Sequence, residues 1–184
     1  MDAYRQPKFS YFMMKSLFIA VIIIISTIGS VSVSSDAPPT KKQDFISRIS
    51  HCYTGFYEAN DFKVAIPIEM VLGISIHESA WGKSRFAVEG YNYFGLRTTA
   101  EDKKHYMTPK GAPNVKVAKF ERPCGSVHFF LNLISTDPRY SKLYSYISQV
   151  RPVDIEEALG YMDIYYQDPS WPKKVLKIIK GLDY

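Results

Sequence analysis

The amino-acid sequence predicts a mainly α-helical (α+β) domain with one small β-hairpin lobe, preceded by an N-terminal export or membrane segment. Apolar residues recur at helical spacing over most of the chain, whereas residues 97 to 119 contain two short alternating runs around a turn. With 184 residues and 46% hydrophobic composition, the chain suits one domain with a sizeable core. We divide it into a leader (residues 1–35), a linker (36–40) and the domain (41–184).

The leader has the pattern of an export signal. Residues 17 to 33 contain no charge and follow Arg5, Lys8 and Lys15, which predicts an N terminus in the cytoplasm and the rest of the chain outside. Two alternatives stay open, because the apolar length fits both a signal peptide cleaved before Asp36 and a short inner-membrane anchor. Either one predicts an exported protein of the periplasm or cell envelope.

The charge of the chain argues against nucleic acid as a partner. Without the leader the net charge falls from +5 to +3, and the lysines and arginines are scattered without forming a stripe. A mildly basic domain favours an anionic polymer such as a cell wall.

The cysteines and histidines indicate no metal site and no cofactor. His51, His77, His105 and His128 lack the usual ligand spacing with the cysteines. Cys52 and Cys124 would lie on the oxidising side of the membrane, where a disulfide persists. The sequence leaves open whether these two cysteines pair or are separate core residues.

The first helix is predicted over residues 41 to 58, with Thr40 as its cap. Its apolar residues Phe45, Ile49, Cys52 and Phe56 share one face, so it is expected to pack on one side.

The most informative stretch is a second helix, predicted from Pro67 to Gly82 and apolar on nearly every side. It carries one acid, Glu78, in its last turn, with Trp81 on roughly the same face. The C-terminal end of a helix and a buried environment both disfavour the carboxylate, so the pKa of Glu78 is expected to rise. A protonated glutamic acid beside a tryptophan, as in lysozyme, suits a general acid for glycoside cleavage. The alternative is a solvated residue at the helix end.

A dense motif surrounds this glutamate. Residues 77 to 87 read HESAWGKSRFA and residues 89 to 95 read EGYNYFG. This resembles the glucosaminidase domain of glycoside hydrolase family 73, with its approximate pattern E-S-x-W-G-x-S-x-F-A followed by E-G-x-N-x-F-G. The segment from Phe120 to Tyr140 is similar to the Bax-type bacterial branch, so the resemblance covers residues 41 to 184. It implies a lysozyme-like fold.

The residues after the second helix are predicted to form the substrate cleft. The resemblance implies a hydrogen-bonding role for Asn92, a cleft wall at Phe94 and a position near the cleft for Tyr140. Tyr91 and Tyr93 would stack on sugar rings, and Trp81 completes the predicted substrate-binding set. For each of these residues, core packing or a turn is the alternative.

The hairpin lobe poses a question about the second catalytic group. Relatives often carry an acid in this lobe, but the second predicted strand, residues 115 to 120, contains Lys116 and Lys119 and no acid. Glu101 at the hairpin base is the candidate for a second catalytic carboxylate, and substrate assistance is the other route.

The rest of the chain is predicted to be helical, over residues 126–134, 139–149, 153–166 and 172–179. An aromatic cluster in the third segment and just before the fourth is expected to serve packing, and comprises Tyr161, Tyr165, Tyr166 and Trp171.

The predicted function is that of an exported endo-β-N-acetylglucosaminidase. Its partner would be the glycan strands of peptidoglycan, which it would cut at the β-1,4 bond after N-acetylglucosamine with Glu78 as general acid. If the leader is uncleaved, the membrane would be a second partner. The alternatives are a lytic transglycosylase or muramidase of similar fold, or a membrane-tethered wall-binding protein without turnover, which Lys116 and Lys119 favour. An amidase is less favoured, because neither metal ligands nor a Cys/His nucleophile arrangement stands out in the sequence.

Overall fold

The computed structural model describes residues 41–182. This part of the chain folds into seven α-helices and one two-stranded antiparallel sheet, which confirms a mainly helical domain with a small hairpin. The helices are α1 (Lys41–Ala59), α2 (Ile68–Ser79), α3 (Arg85–Gly90), α4 (Gly125–Thr136), α5 (Ser141–Gln149), α6 (Ile155–Gly160) and α7 (Trp171–Lys180), and the strands are β1 (Tyr106–Met107) and β2 (Val117–Ala118).

Helix α1 forms as predicted and buries one face. Phe45, Ile49, Cys52 and Phe56 are its buried residues, at the spacing that the sequence indicated. The face packs against α2 and α4. The two cysteines are joined in a disulfide, so Cys52 of α1 is linked to Cys124 at the start of α4 across 72 residues of sequence.

Helix α2 occupies the middle of the core but ends three residues earlier than predicted. Ala80 closes it in the left-handed conformation, and Trp81 and Gly82 continue with φ of 62° and 71°. Ser79 sets this turn, because its hydroxyl donates to the Ser75 carbonyl and accepts from the Gly82 N–H at 2.8 Å. The expectation that Trp81 shares a helical face with Glu78 is therefore wrong.

The hairpin lobe is present, with strands shorter than predicted. Tyr106 pairs with Ala118 and Met107 with Val117. Two backbone hydrogen bonds join the lobe to the segment after α2: Ala118 N–H donates to the Leu96 carbonyl and Phe120 N–H to the Gly90 carbonyl, both at 2.8 Å. The lobe is thus attached to the end of α3 and to the loop that follows it.

The C-terminal half supplies the remaining helices, and their boundaries differ from prediction at α4, α5 and α6. Helix α4 begins at Gly125, because Ser126 is buried and its hydroxyl accepts from the Tyr93 N–H instead of capping the helix. Asp137 caps a single 3₁₀ turn, Pro138–Tyr140, that leads into α5. Helix α6 stops at Gly160, where turns replace the longer helix predicted to residue 166.

The leader and linker lie outside the described residues, so the predicted export segment stays a prediction. Within residues 41–182, no helix has the length and apolar character needed to cross a membrane.

Candidate active site

Glu78 lies in the last turn of α2, and its carboxyl is held by a residue far away in sequence. Trp171, at the start of α7, donates its indole N–H to Glu78 Oε1 at 2.7 Å. Trp171 is buried, with 4% of its surface exposed, so the donor has little freedom to move. Helices α2 and α7 come close because Gly73 has no side chain; a Cβ at this position would overlap Ile179.

The indole that holds Glu78 is itself fixed by aromatic neighbours. Tyr166 stacks on it with ring centroids 4.9 Å apart and an interplanar angle of 13°. Tyr165 packs against it at 5.5 Å and His77 meets it edge-on at 6.2 Å. Three members of the cluster predicted to serve packing, Tyr165, Tyr166 and Trp171, therefore orient the carboxyl of Glu78.

Tyr165 adds a second link across the site. Its hydroxyl donates to the carbonyl of Phe94. Burial raises the pKa of Tyr165 well above its ordinary value. Tyr165 therefore remains a neutral hydrogen-bond donor throughout the physiological range.

A cavity of about 800 Å³ opens beside Glu78. One side is formed by the loop after α3, including Phe94, Gly95 and Arg97, and another by the segment before α7, including Tyr166 and Asp168. Two large apolar side chains are left exposed at this cavity, Phe129 at 50% and Ile164 at 49%. An open cleft with aromatic walls and a few polar groups suits a carbohydrate chain.

Gly95 lies against the second oxygen of the Glu78 carboxyl. Its φ is +62°, and a Cβ built on it would lie 3.1 Å from Glu78 Oε2. Because Trp171 occupies Oε1, Oε2 is the oxygen left to meet a ligand beside Gly95.

Two of the residues predicted to bind substrate line the cavity. Phe94 lines the cavity, and it is buried and stacks on Phe130 with ring centroids 4.3 Å apart. Tyr140 also lines the cavity and is 5% exposed. Burial raises the pKa of Tyr140.

Trp81, Tyr91 and Tyr93 do not line this cavity. Trp81 packs edge-on against Phe45 at 6.3 Å, with the Lys42 ammonium 4.9 Å from its ring centroid. Tyr93 is buried against the same phenylalanine, at 5.6 Å. Tyr91 caps α3 in the left-handed conformation.

Asn92 is buried and organises the loop that forms one wall. Its amide nitrogen donates to the carbonyls of Leu96 and Ala118, and its amide oxygen accepts from the N–H groups of Phe94 and Leu96. Its hydrogen bonds thus connect the cavity wall to strand β2.

The two further carboxylates differ in position. Glu101 is exposed at the base of the hairpin lobe and does not line the cavity. Asp168 does line it, and hydrogen bonds from Lys174 and Ser170 hold the pKa of Asp168 far below its ordinary value. Sequence reasoning missed Asp168, Tyr165 and Trp171 as site residues. The density of aromatic residues around Asp168 was the available signal, although it also fits packing.

The comparisons with known proteins agree with this geometry. The profile of the family described as Glucosaminidase, mannosyl-glycoprotein endo-beta-N-acetylglucosaminidase, matches residues 56–184. The chain belongs to the glucosaminidase family. It is accordingly a glycoside hydrolase. The Bax-type branch stays a prediction, and comparison with curated proteins finds no match.

Three solved structures share the fold of this glucosaminidase. The catalytic domain of the autolysin Auto from Listeria monocytogenes matches with a TM-score of 0.59 and 18% identity, covering 79% of this chain and 86% of that one. A peptidoglycan hydrolase from Sphingomonas sp. A1 matches with a TM-score of 0.59 and 17% identity, covering 76% of this chain and 88% of that one. A glycoside hydrolase domain of FlgJ from Salmonella typhimurium matches with a TM-score of 0.53 and 19% identity, covering 77% of this chain and 97% of that one. The lysozyme-like fold implied by the sequence is thereby confirmed.

Proposed function

We propose that this glucosaminidase is an exported endo-β-N-acetylglucosaminidase that cleaves the β-1,4 bond after N-acetylglucosamine in peptidoglycan. The observation that carries the proposal is the carboxyl of Glu78, oriented by Trp171 and facing a cleft with aromatic walls. Two of the structural neighbours are described as an autolysin and a peptidoglycan hydrolase, which supports this substrate. Export, by a leader that is cleaved or retained as an anchor, follows from the apolar run of residues 17 to 33.

Glu78 acts as the general acid in the proposed mechanism. Its proton passes to the glycosidic oxygen as the bond to the anomeric carbon breaks, so the leaving sugar departs as a neutral alcohol. The oxygen of the substrate's own acetamido group attacks the anomeric carbon. Water then opens the resulting ring intermediate, and the Glu78 carboxylate accepts a proton from that water, which regenerates the acid.

Substrate assistance fits the cavity better than a second protein carboxylate. Glu101 is exposed in the lobe and outside the cavity. Asp168 is inside it, but the hydrogen bonds that depress the pKa of Asp168 make this carboxylate a weak base. Its fixed negative charge instead suits stabilisation of the positive charge that develops on the sugar.

Digestion of purified peptidoglycan by the full chain tests the proposal, with the Glu78→Gln variant in parallel. The soluble products are reduced with borohydride and analysed by mass spectrometry. We expect N-acetylglucosamine at the reducing ends, released by the wild type alone. Anhydro sugars would indicate a lytic transglycosylase and muramic-acid ends a muramidase, whereas no release would indicate a wall-binding protein.

A further inference from the structure

A second cavity, of about 490 Å³, lies where the disulfide joins α1 to the start of α4. Arg48 and His51 of α1 line it, together with Arg122 and His128. We call this the basic cavity. No acidic side chain in residues 41–182 lines it, whereas two permanent positive charges and two imidazoles do.

The two arginines of the basic cavity are available to a ligand. Arg48 and Arg122 are exposed, and neither forms an ion pair with any residue in the described part of the chain. A guanidinium presents a planar set of N–H donors that matches the two oxygens of a carboxylate or phosphate. The charges of this cavity therefore favour an oxyanion.

The cavity wall also contains the N-terminal end of a helix and an imidazole of fixed orientation. Helix α4 begins at this cavity without a side-chain hydrogen bond from its cap residue Cys124, and the N-terminal end of a helix favours an anion. His128 Nε2 lies 3.0 Å from the carbonyl oxygen of Cys52. Because a carbonyl only accepts, Nε2 carries a proton, and His128 is fixed in orientation by this bond.

Helix α4 connects the basic cavity to the proposed catalytic cleft. His128 lines the basic cavity, whereas Phe129 and Leu133 line the cleft. His128 and Phe129 are consecutive residues about 100° apart around the helix, so the two cavities open on neighbouring sides of α4.

We propose that the basic cavity binds a carboxylate of the peptide stem of peptidoglycan while the glycan lies in the cleft. This inference rests on the proposed function. A glycan strand with stems attached to its lactyl groups carries its negative charge on those stems, so an arginine-lined cavity beside the cleft selects strands that bear them. The basic cavity is then a specificity site distinct from Glu78.

Calorimetric binding to the full chain tests the proposal, in a Glu78→Gln background so that the ligand is not consumed. The probe is a soluble disaccharide-peptide with free carboxylates. Combined Arg48→Ala and Arg122→Ala substitutions are expected to raise its Kd about tenfold, because two solvent-exposed charge contacts are lost. The matched control removes the same charge at two lysines near the end of α7, Lys177→Ala with Lys180→Ala, and is expected to change Kd less than twofold.

Two further probes identify the ligand chemistry. The disaccharide-peptide with its carboxylates amidated is expected to bind Glu78→Gln weakly. Its Kd should equal that of the probe with free carboxylates for the double arginine variant. Equal affinity of both probes, or a Kd unaffected by loss of the arginines, would overturn the proposal. Arginine-dependent binding of inorganic phosphate without such dependence for the disaccharide-peptide would also overturn it and indicate an adventitious ion only.

The binding assay separates this proposal from the proposed function. Arginine-dependent binding without release of sugar from peptidoglycan would leave the basic cavity supported and contradict hydrolysis. Release of sugar together with arginine-independent binding would support hydrolysis and contradict the role of the basic cavity. Each variant is first compared with its parent by thermal unfolding, and the double arginine variant is expected to melt within a few degrees of the parent, because both side chains are exposed.

Discussion

Replacement of Gly95 by alanine tests the assignment of the catalytic carboxyl with one methyl group. The new Cβ would lie 3.1 Å from Glu78 Oε2, closer than ordinary van der Waals contact, so the carboxyl must shift by a few tenths of an ångström. The methyl also covers the oxygen left free by Trp171. Because displacement of a reacting group by about 1 Å costs about a hundredfold in rate, we expect kcat to fall about tenfold to a hundredfold.

Gly111→Ala is the matched control for Gly95→Ala. Gly111 also has a left-handed backbone, with φ of +78°, but no atom lies within 4 Å of the position that a Cβ would take there. The left-handed conformation costs a non-glycine residue about 1–2 kcal/mol, so both variants are expected to lose similar stability in denaturant titrations. Activity on peptidoglycan is then measured well below both melting temperatures. The assignment of Glu78 is refuted if Gly95→Ala retains kcat within about twofold of Gly111→Ala.

Three further predictions concern the packing around this site. Trp171→Phe keeps an aromatic ring but removes the N–H donor to Glu78. We therefore expect kcat to fall at least about tenfold with little change in KM. Unchanged kinetics would contradict the orienting role of Trp171. Reduction of the disulfide, which spans 72 residues, is expected to lower the free energy of unfolding by about 4 kcal/mol. Guanidinium titrations of the oxidised and reduced protein measure this loss, and an unchanged midpoint would contradict the prediction. Burial raises the pKa of Tyr57 to about 12, so the unfolded chain loses this proton first and the free energy of unfolding falls between about pH 10 and 12. Tyr57→Phe is expected to reduce the slope of that fall. An identical slope in the variant would contradict the coupling between Tyr57 ionisation and stability.

The motif around Asn92 predicted that this residue forms hydrogen bonds, but it did not predict their partners. The resemblance implied hydrogen bonding, and the residue does make four hydrogen bonds, all of them to backbone groups of the loop and of β2. Whether an amide in a motif meets a ligand or the backbone depends on burial. Burial depends on neighbours from distant segments, which a local pattern does not contain.

The fold class, the buried face of α1 and the position of Glu78 at the end of a core helix could all be predicted from the sequence. These features follow from local periodicity and from a motif contained within about 20 residues. Three contacts could not be predicted: Trp171, 93 residues later, holds Glu78, Asp168 lines the cleft, and Trp81 lies against Phe45. They depend on the packing of α2 against α7 and on the left-handed turn after Ser79, and the spacing of residues along one helix contains neither.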